Sequence, residues 1–463
     1  MLNKENLTSF IKVSNHLEID NPTEKVIYFC EEKLILDNPE YLDKKRMGLY
    51  CGDVPKKIQL FSKKGSTYVL PYGCWKDLHK LDSKLLFKSY LHKKIGSVLR
   101  SVPNSKLDLY DYQEKACNSL IKEQNGILVA PCGSGKTQIG LELINRLHGR
   151  ALWLTHTKEL LTQSKERCEN YFIGDFGTIT EGKCNIGKDI TFATVQTLSK
   201  LDKSLYENEF DIIVVDEAHR VCGSPTKLAM FYKVIDNCNA RYKYGLTATP
   251  KRADGLIKSL FSLVGDIVYT IDEKEVGDKR IKAIQEAVLI EKKYNMAKYL
   301  STDGKTDYAK LIKLLCEDQE RNTIITNKII DRQKEGNHKQ LVLVDRVKHA
   351  KELKKILLEC SCECKVITGK SKDRNFKDCN IIISTYALAK EGLDIKELDT
   401  LHSTMPKGRK TSVIEQSVGR IERNIEGKET PIMYDYVDKN IAFCVKKYND
   451  RRRLLKRNGK IIR

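Results

Sequence analysis

Two stretches of the chain carry residues that could act on a nucleotide: APCGSGKT at 130–137 and DIIVVDEAH at 211–219. Gly133 and Gly135 lack a Cβ, so backbone N–H groups can converge there on phosphate oxygens. Ser134 belongs to the same cradle. Lys136 would reach the β- and γ-phosphates, and Thr137 would ligate Mg²⁺. A helical pattern over Gln138–Leu147 adds the positive end of its dipole. In the second stretch, the apolar run IIVV delivers Asp216 to a strand end, where it would hold Mg²⁺ directly or through water. Glu217 would orient or deprotonate the attacking water. The chemistry is hydrolysis of ATP with Mg²⁺. A kinase, a GTPase switch, a clamp loader or a nucleic-acid motor could each use it.

IEQSVGRIER (414–423) separates these possibilities. On a helix, Gln416, Arg420 and Arg423 are four and three apart and share one face. Such a face can aim two guanidiniums at a phosphate held by another domain and stabilise the transition state. Hydrolysis then depends on closure, which a motor needs and a kinase does not. The plainer alternative is a surface helix with incidental arginines. YGLTATP (244–250) places Thr247 and Thr249 at a strand end, able to bond groups beside Glu217 and sense the γ-phosphate. Ordinary strand-end capping by Thr is the alternative.

Alternating strands and helices must position these residues. GILVA, ALWLT, ITFAT, DIIVVD and YKYGLTATP read as buried strands between about 105 and 270. LVLVD, CKVIT, CNIIIST, TLHST and PIMYDYV repeat the pattern from about 310 to 440. The expected class is α/β, with two tandem parallel-sheet lobes after a small N-terminal accessory domain. The boundaries fall at 1–100 for the accessory domain, 101–275 and 276–445 for the lobes, and 446–463 for a basic tail. Residues 271–305, rich in Lys, Glu and Asp, read as a linker or insertion. KIQLF, the turn SKKGS and TYVLP read as a β-hairpin. There Tyr68, Tyr72 and Trp75 are interleaved with lysines, as on a nucleic-acid surface, or form a small core with a solvated rim. The tail holds nine Lys and Arg against one Asp, either a phosphate-binding helix or a solvated end.

The 463 residues exceed one ordinary domain, and the net charge of +20 points to a polyanionic partner. Fifteen scattered cysteines read as reduced thiols. Cys360, Cys362 and Cys364 cluster without a fourth ligand at zinc spacing. No apolar run is long enough to span a membrane, and MLNKENLTSF is not a signal peptide.

APCGSGKT, DEAH, TAT and QSVGRIER, in this order, resemble the superfamily 2 helicases of the DEAH type over roughly residues 105–440. The resemblance implies two RecA-like lobes with ATP between them. Gln113, in LYDYQEKA, would then read the adenine edge. WLTHTKELLTQ (153–163) and FATVQTL (192–198), which includes Thr194, are similar to the strand-contacting motifs of the first lobe. ISTYALAKEGLDI is similar to one in the second: Thr385 would touch a backbone phosphate, and Gly392 and Asp394 would couple DNA to ATP. GLTATPKRADG resembles the branch that contains transcription-and-repair and phage recombination helicases. Order and length are similar to the poxvirus helicases that release transcripts. This implies a DNA helicase or translocase, 3′-to-5′, partnered by an RNA polymerase elongation complex and viral transcription factors. Its place would be the host cytoplasm, in viral factories, and the virion. An RNA helicase of mRNA metabolism, a duplex-DNA translocase in recombination or repair, and a restriction-system motor remain alternatives.

Overall fold

The computed structural model describes residues 10–462 apart from 82–84, 91–93, 98, 104–106, 132, 221–224, 249–255, 278–280, 303, 370, 372–378, 393–394, 396, 408–411, 424, 426 and 458–460. Thr249 and Asp394 therefore lie outside the described residues. The chain divides into two units, residues 1–272 and 273–463. Among the described residues no helix is long and apolar enough to cross a membrane.

The first unit is built on an eight-stranded sheet. Its order is Lys183–Asn185, Phe176–Thr180, Ile190–Thr194, Ala151–Thr155, Ile212–Val215, Tyr242–Thr247, Asn125–Val129 and Ile267–Thr270. Only the first pair is antiparallel. The central strands are buried at every position, as expected of strands covered by helices on both faces. Parallel neighbours put all their C-terminal ends on one edge. The segments after Val129, Thr155, Thr194, Val215 and Thr247 gather there, and these are the motif segments.

The N-terminal region forms a second, five-stranded sheet, in the order Ser62–Lys64, Thr67–Pro71, His16–Asp20, Phe10–Val13 and Leu86–Ser89. One continuous apolar core joins it to the large sheet's helices, with Leu17, Leu70 and Leu78 in the same cluster as Val234, Leu260 and Leu263. Gly73 sits against the helix Ile257–Val264 so tightly that a Cβ would lie 2.5 Å from the Phe261 carbonyl oxygen. Trp75 Nε1 donates to Asn125 Oδ1 at 3.1 Å, and Tyr72 Oη to the Arg241 carbonyl at 3.2 Å. The buried Lys243 donates to the Asn15 carbonyl at 3.0 Å and lies over the Tyr72 ring. Burial lowers its pKa to about 8, against the pull of Asp236. Tyr72 and Trp75 thus serve the seam with the large sheet, and the core alternative holds for them. The hairpin also differs from its expectation. Lys57–Gln59 pairs with Ile35–Asp37, and the lysines assigned to the turn form the arm Ser62–Lys64. Gly65, at φ 61°, makes the turn affordable to the backbone.

The second unit has a seven-stranded, fully parallel sheet: Lys365–Ile367, Ile381–Thr385, Lys339–Val344, Leu398–Ser403, Ile432–Asp438, Ile284–Ile290 and Ile461–Ile462. Ile284–Ile290 falls within the segment expected to be a linker. It is instead an interior strand, paired along its length with Ile432–Asp438. Gln285, buried against Asp435, and Glu286 interrupt its apolar run and hide the pattern. The tail is not a solvated end. Ala442–Arg457 is a helix whose Arg451, 1% exposed, grips the equally buried Asp435 with bonds of 2.9 and 2.6 Å.

Candidate nucleotide site and strand-contacting loops

The strand Asn125–Val129 runs into a loop whose Gly133 and Gly135 have φ of 75° and 80°. A side chain is strained in that conformation, so the cradle needs glycine here. A Cβ on Gly135 would also strike the Gln113 side chain, 2.2 Å from its Nε2. Gln113 is buried. It donates to the Ser134 carbonyl at 2.8 Å and accepts from the Tyr110 N–H at 2.9 Å. It therefore ties the preceding helix, Asp111–Glu123, to the phosphate loop. Ser134 Oγ is buried without a partner among the described residues, which leaves the cradle a spare donor. Lys136 Nζ is folded back onto the Ala130 and Pro131 carbonyls at 3.1 and 3.3 Å. Thr137 Oγ accepts from the Arg167 guanidinium at 3.1 Å.

Asp216 follows the strand Ile212–Val215 and is 7% exposed. Burial first, then the neighbouring Glu217 charge, raises its pKa to about 6, while Lys136 and Arg167 oppose the shift. The charges of Lys136, Arg167 and the two carboxylates therefore share one neighbourhood. Glu217 takes a left-handed backbone, φ 49°, uncommon for a residue with a Cβ. Its Oε2 lies 3.2 Å from His219 Nδ1, and the same nitrogen lies 3.0 Å from Thr247 Oγ. The DEAH and TAT segments are thus joined through His219, which is 8% exposed.

Two further loops share this edge of the sheet. Thr157 caps the helix Lys158–Tyr171, and Thr194 Oγ donates to Thr197 Oγ at 3.1 Å. Gln196 Nε2 donates to the His156 carbonyl at 2.8 Å and links the two loops.

In the second unit, Thr385 ends the strand Ile381–Thr385, and its Oγ accepts from the Leu388 N–H at 3.4 Å. Gly392 closes the helix Tyr386–Gly392. Arg420 lies on the helix Ser412–Ile421 and donates to the Ala389 carbonyl, so these two helices are joined. Gln416 is 9% exposed, and among the described residues its buried Oε1 has no partner. Arg423 differs from the expectation of one continuous helix face: the helix stops at Ile421, and Arg423 follows in a turn. Glu422 is the cause. Its side chain accepts from the Ala283 N–H at 2.9 Å and its carbonyl from the Ile281 N–H at 3.3 Å.

Sequence reasoning missed His219 and Arg167 as members of the site. The fourth letter of DEAH was a signal for His219. None existed for Arg167, thirty residues from Thr137.

Residues 106–252 match the family described as type III restriction enzyme, res subunit. The DNA 3′-5′ translocase XPB2 of Sulfurisphaera tokodaii is 27% identical over 421 residues, 84% of this chain and 89% of that one. The putative ATP-dependent RNA helicase L396 of Acanthamoeba polyphaga mimivirus is 28% identical over 346 residues, 71% of this chain and 64% of that one. Among solved structures, Saccharomyces cerevisiae Dbp5 bound to RNA and ADP BeF3 is 15% identical with a TM-score of 0.54, covering 77% of this chain and 90% of that one. That likeness is of fold, and it matches the two parallel sheets. With these sheets, these motifs and these relatives, the chain is an ATP-dependent nucleic-acid helicase, and it is similar to the helicases of superfamily 2.

Proposed function

We propose that this helicase is a DNA motor moving 3′-to-5′, and that it acts in viral transcription by releasing nascent transcripts from RNA polymerase. The observation that carries the DNA reading is the alignment with a DNA 3′-5′ translocase along 84% of the chain. The transcript-release role rests on motif order and length, which resemble the poxvirus helicases of that kind. Viral relatives such as the mimivirus protein and putative helicase 055L of Frog virus 3 support the viral setting. The proposed place is the host cytoplasm and the virion, and the proposed partners are the elongation complex and viral transcription factors.

In this reading the loop amides with Ser134 and Lys136 take the phosphates of ATP, and Gln113 holds the loop in shape. Thr137 and Asp216 are hard oxygen donors in one buried neighbourhood and fit Mg²⁺; the ion would supply charge neutralisation on the phosphates. Glu217 positions the attacking water, and beside its carboxylate lies His219, which is held by Thr247. Gln416, Arg420 and Arg423 are the proposed transition-state group of the second unit. Thr194, Thr249, Thr385, Gly392 and Asp394 are the proposed strand-side and coupling residues; such contacts grip phosphates and ignore sequence.

The test is steady-state ATP hydrolysis with no nucleic acid, single-stranded DNA, duplex DNA and RNA. Stimulation by DNA alone, followed by transcript release from a stalled elongation complex, is the expected result. Stimulation by RNA alone would move the chain to the RNA-helicase reading; the mimivirus relative is named a putative ATP-dependent RNA helicase. Stimulation by DNA without transcript release would favour recombination or repair.

A further inference from the structure

The helix Lys158–Tyr171 carries a cation to the phosphate loop from outside every nucleotide motif. Its Arg167 donates to Thr137 Oγ at 3.1 Å. Its charge also acts on the Asp216 carboxylate. Four residues on, Tyr171 Oη accepts from Gln138 Nε2 at 3.2 Å, a second tether beside Thr137. Lys136 is turned toward the Ala130 and Pro131 carbonyls. The guanidinium therefore occupies the acceptor that a metal ion would use. A hydroxyl oxygen cannot comfortably serve a guanidinium and a dication together, because the two cations repel strongly at such separations in a buried site. The carboxylate pair Asp216 and Glu217 also needs a counter-charge when no ion is bound.

We propose that Arg167 is a placeholder for the metal: it holds Thr137 and offsets the acidic pair between turnovers, and it withdraws when Mg²⁺ enters with nucleotide. This rests on the assignment of Thr137 and Asp216 as the Mg²⁺ ligands. Arg167 is a positioning residue, and nucleotide binding with and without metal reads its role apart from activity.

The experiment is fluorescence titration of the full chain with mant-ADP, in excess EDTA and in excess Mg²⁺, for the wild type, Arg167→Ala, Arg167→Gln and Lys136→Ala. The readout is the ratio of the Kd in EDTA to the Kd in Mg²⁺. Removing the placeholder frees Thr137 for the ion and removes a cation from the metal-free site. The ratio is expected to rise on the order of tenfold in both Arg167 variants, the worth of one charge-assisted hydrogen bond. Arg167→Gln keeps most of the side chain's volume and guards against misfolding of the Ala variant. An unchanged ratio in both variants overturns the inference. So does a loss of affinity larger in Mg²⁺ than in EDTA, which would make Arg167 a phosphate ligand of the loaded state. Undiminished binding by Lys136→Ala would sink the phosphate-loop reading itself. Lost binding there, with unchanged ratios at Arg167, would sink only the placeholder.

Discussion

One ring nitrogen of His219 lies within reach of both Glu217 and Thr247, at 3.2 and 3.0 Å. A carboxylate that must aim a water needs a restricted rotamer, and His219, held by Thr247, is its polar neighbour at 3.2 Å. His219→Ala should lower kcat for ATP by about 10–100-fold, the usual weight of positioning and general-base terms, and leave KM near the wild-type value. A raised KM with unchanged kcat would place His219 in nucleotide binding. Lys136→Ala should abolish hydrolysis while DNA binding, followed by fluorescence anisotropy, stays largely intact. Arg423→Ala should slow hydrolysis by about 10³-fold or more with little change in nucleotide affinity, because such cations act on the transition state. Equal loss of mant-ATP affinity would make Arg423 a ground-state contact.

Between elements, Gly73 packs closely against the helix Ile257–Val264, where a Cβ would meet two carbonyl oxygens at 2.5 and 2.6 Å. Backbone cannot yield as a side-chain tip can. Gly73→Ala should therefore cost about 2–3 kcal/mol or more and lower the calorimetric melting temperature. An unchanged melting temperature would mean that the two sheets are not seated together. That seam was not legible in the sequence. Tyr72 and Trp75 among lysines look the same whether they face nucleic acid or a neighbouring helix, and only the partners Arg241 and Asn125 decide. The lobes' central strands were legible, because burial on both faces demands unbroken apolar runs such as IIVV and ALWLT. Ile284–Ile290 escaped because Gln285 and Glu286 break its apolar run, and the buried Gln285 is accounted for only by its partner Asp435. The phosphate loop was legible because its glycines, Lys136 and Thr137 are contiguous. Arg167 was not, since a helix from another part of the chain brings it in. Arg451 escaped for a related reason: a buried arginine is stable only with its carboxylate, and Asp435 is sixteen residues away.

For the molecule as a whole, the charge of +20 sets how it meets its track. Binding that rests on phosphate contacts should weaken steeply with salt, by orders of magnitude between 50 and 200 mM for several contacts. A flat dependence in anisotropy titrations would mean that the excess charge serves something other than nucleic acid. The second sheet carries a consequence of another kind. Ile284–Ile290 takes its place between Ile461–Ile462 and Ile432–Asp438, the nearer of them in sequence nearly a hundred and fifty residues later. During synthesis the first unit can finish while the second is still being made. The 284–290 segment must then wait on the ribosome as an unpaired apolar strand until residue 438 emerges. Such a wait exposes it to mispairing and to chaperones. Slowing translation between residues 290 and 432 should therefore lower the yield of active enzyme far more than the same delay placed before residue 272.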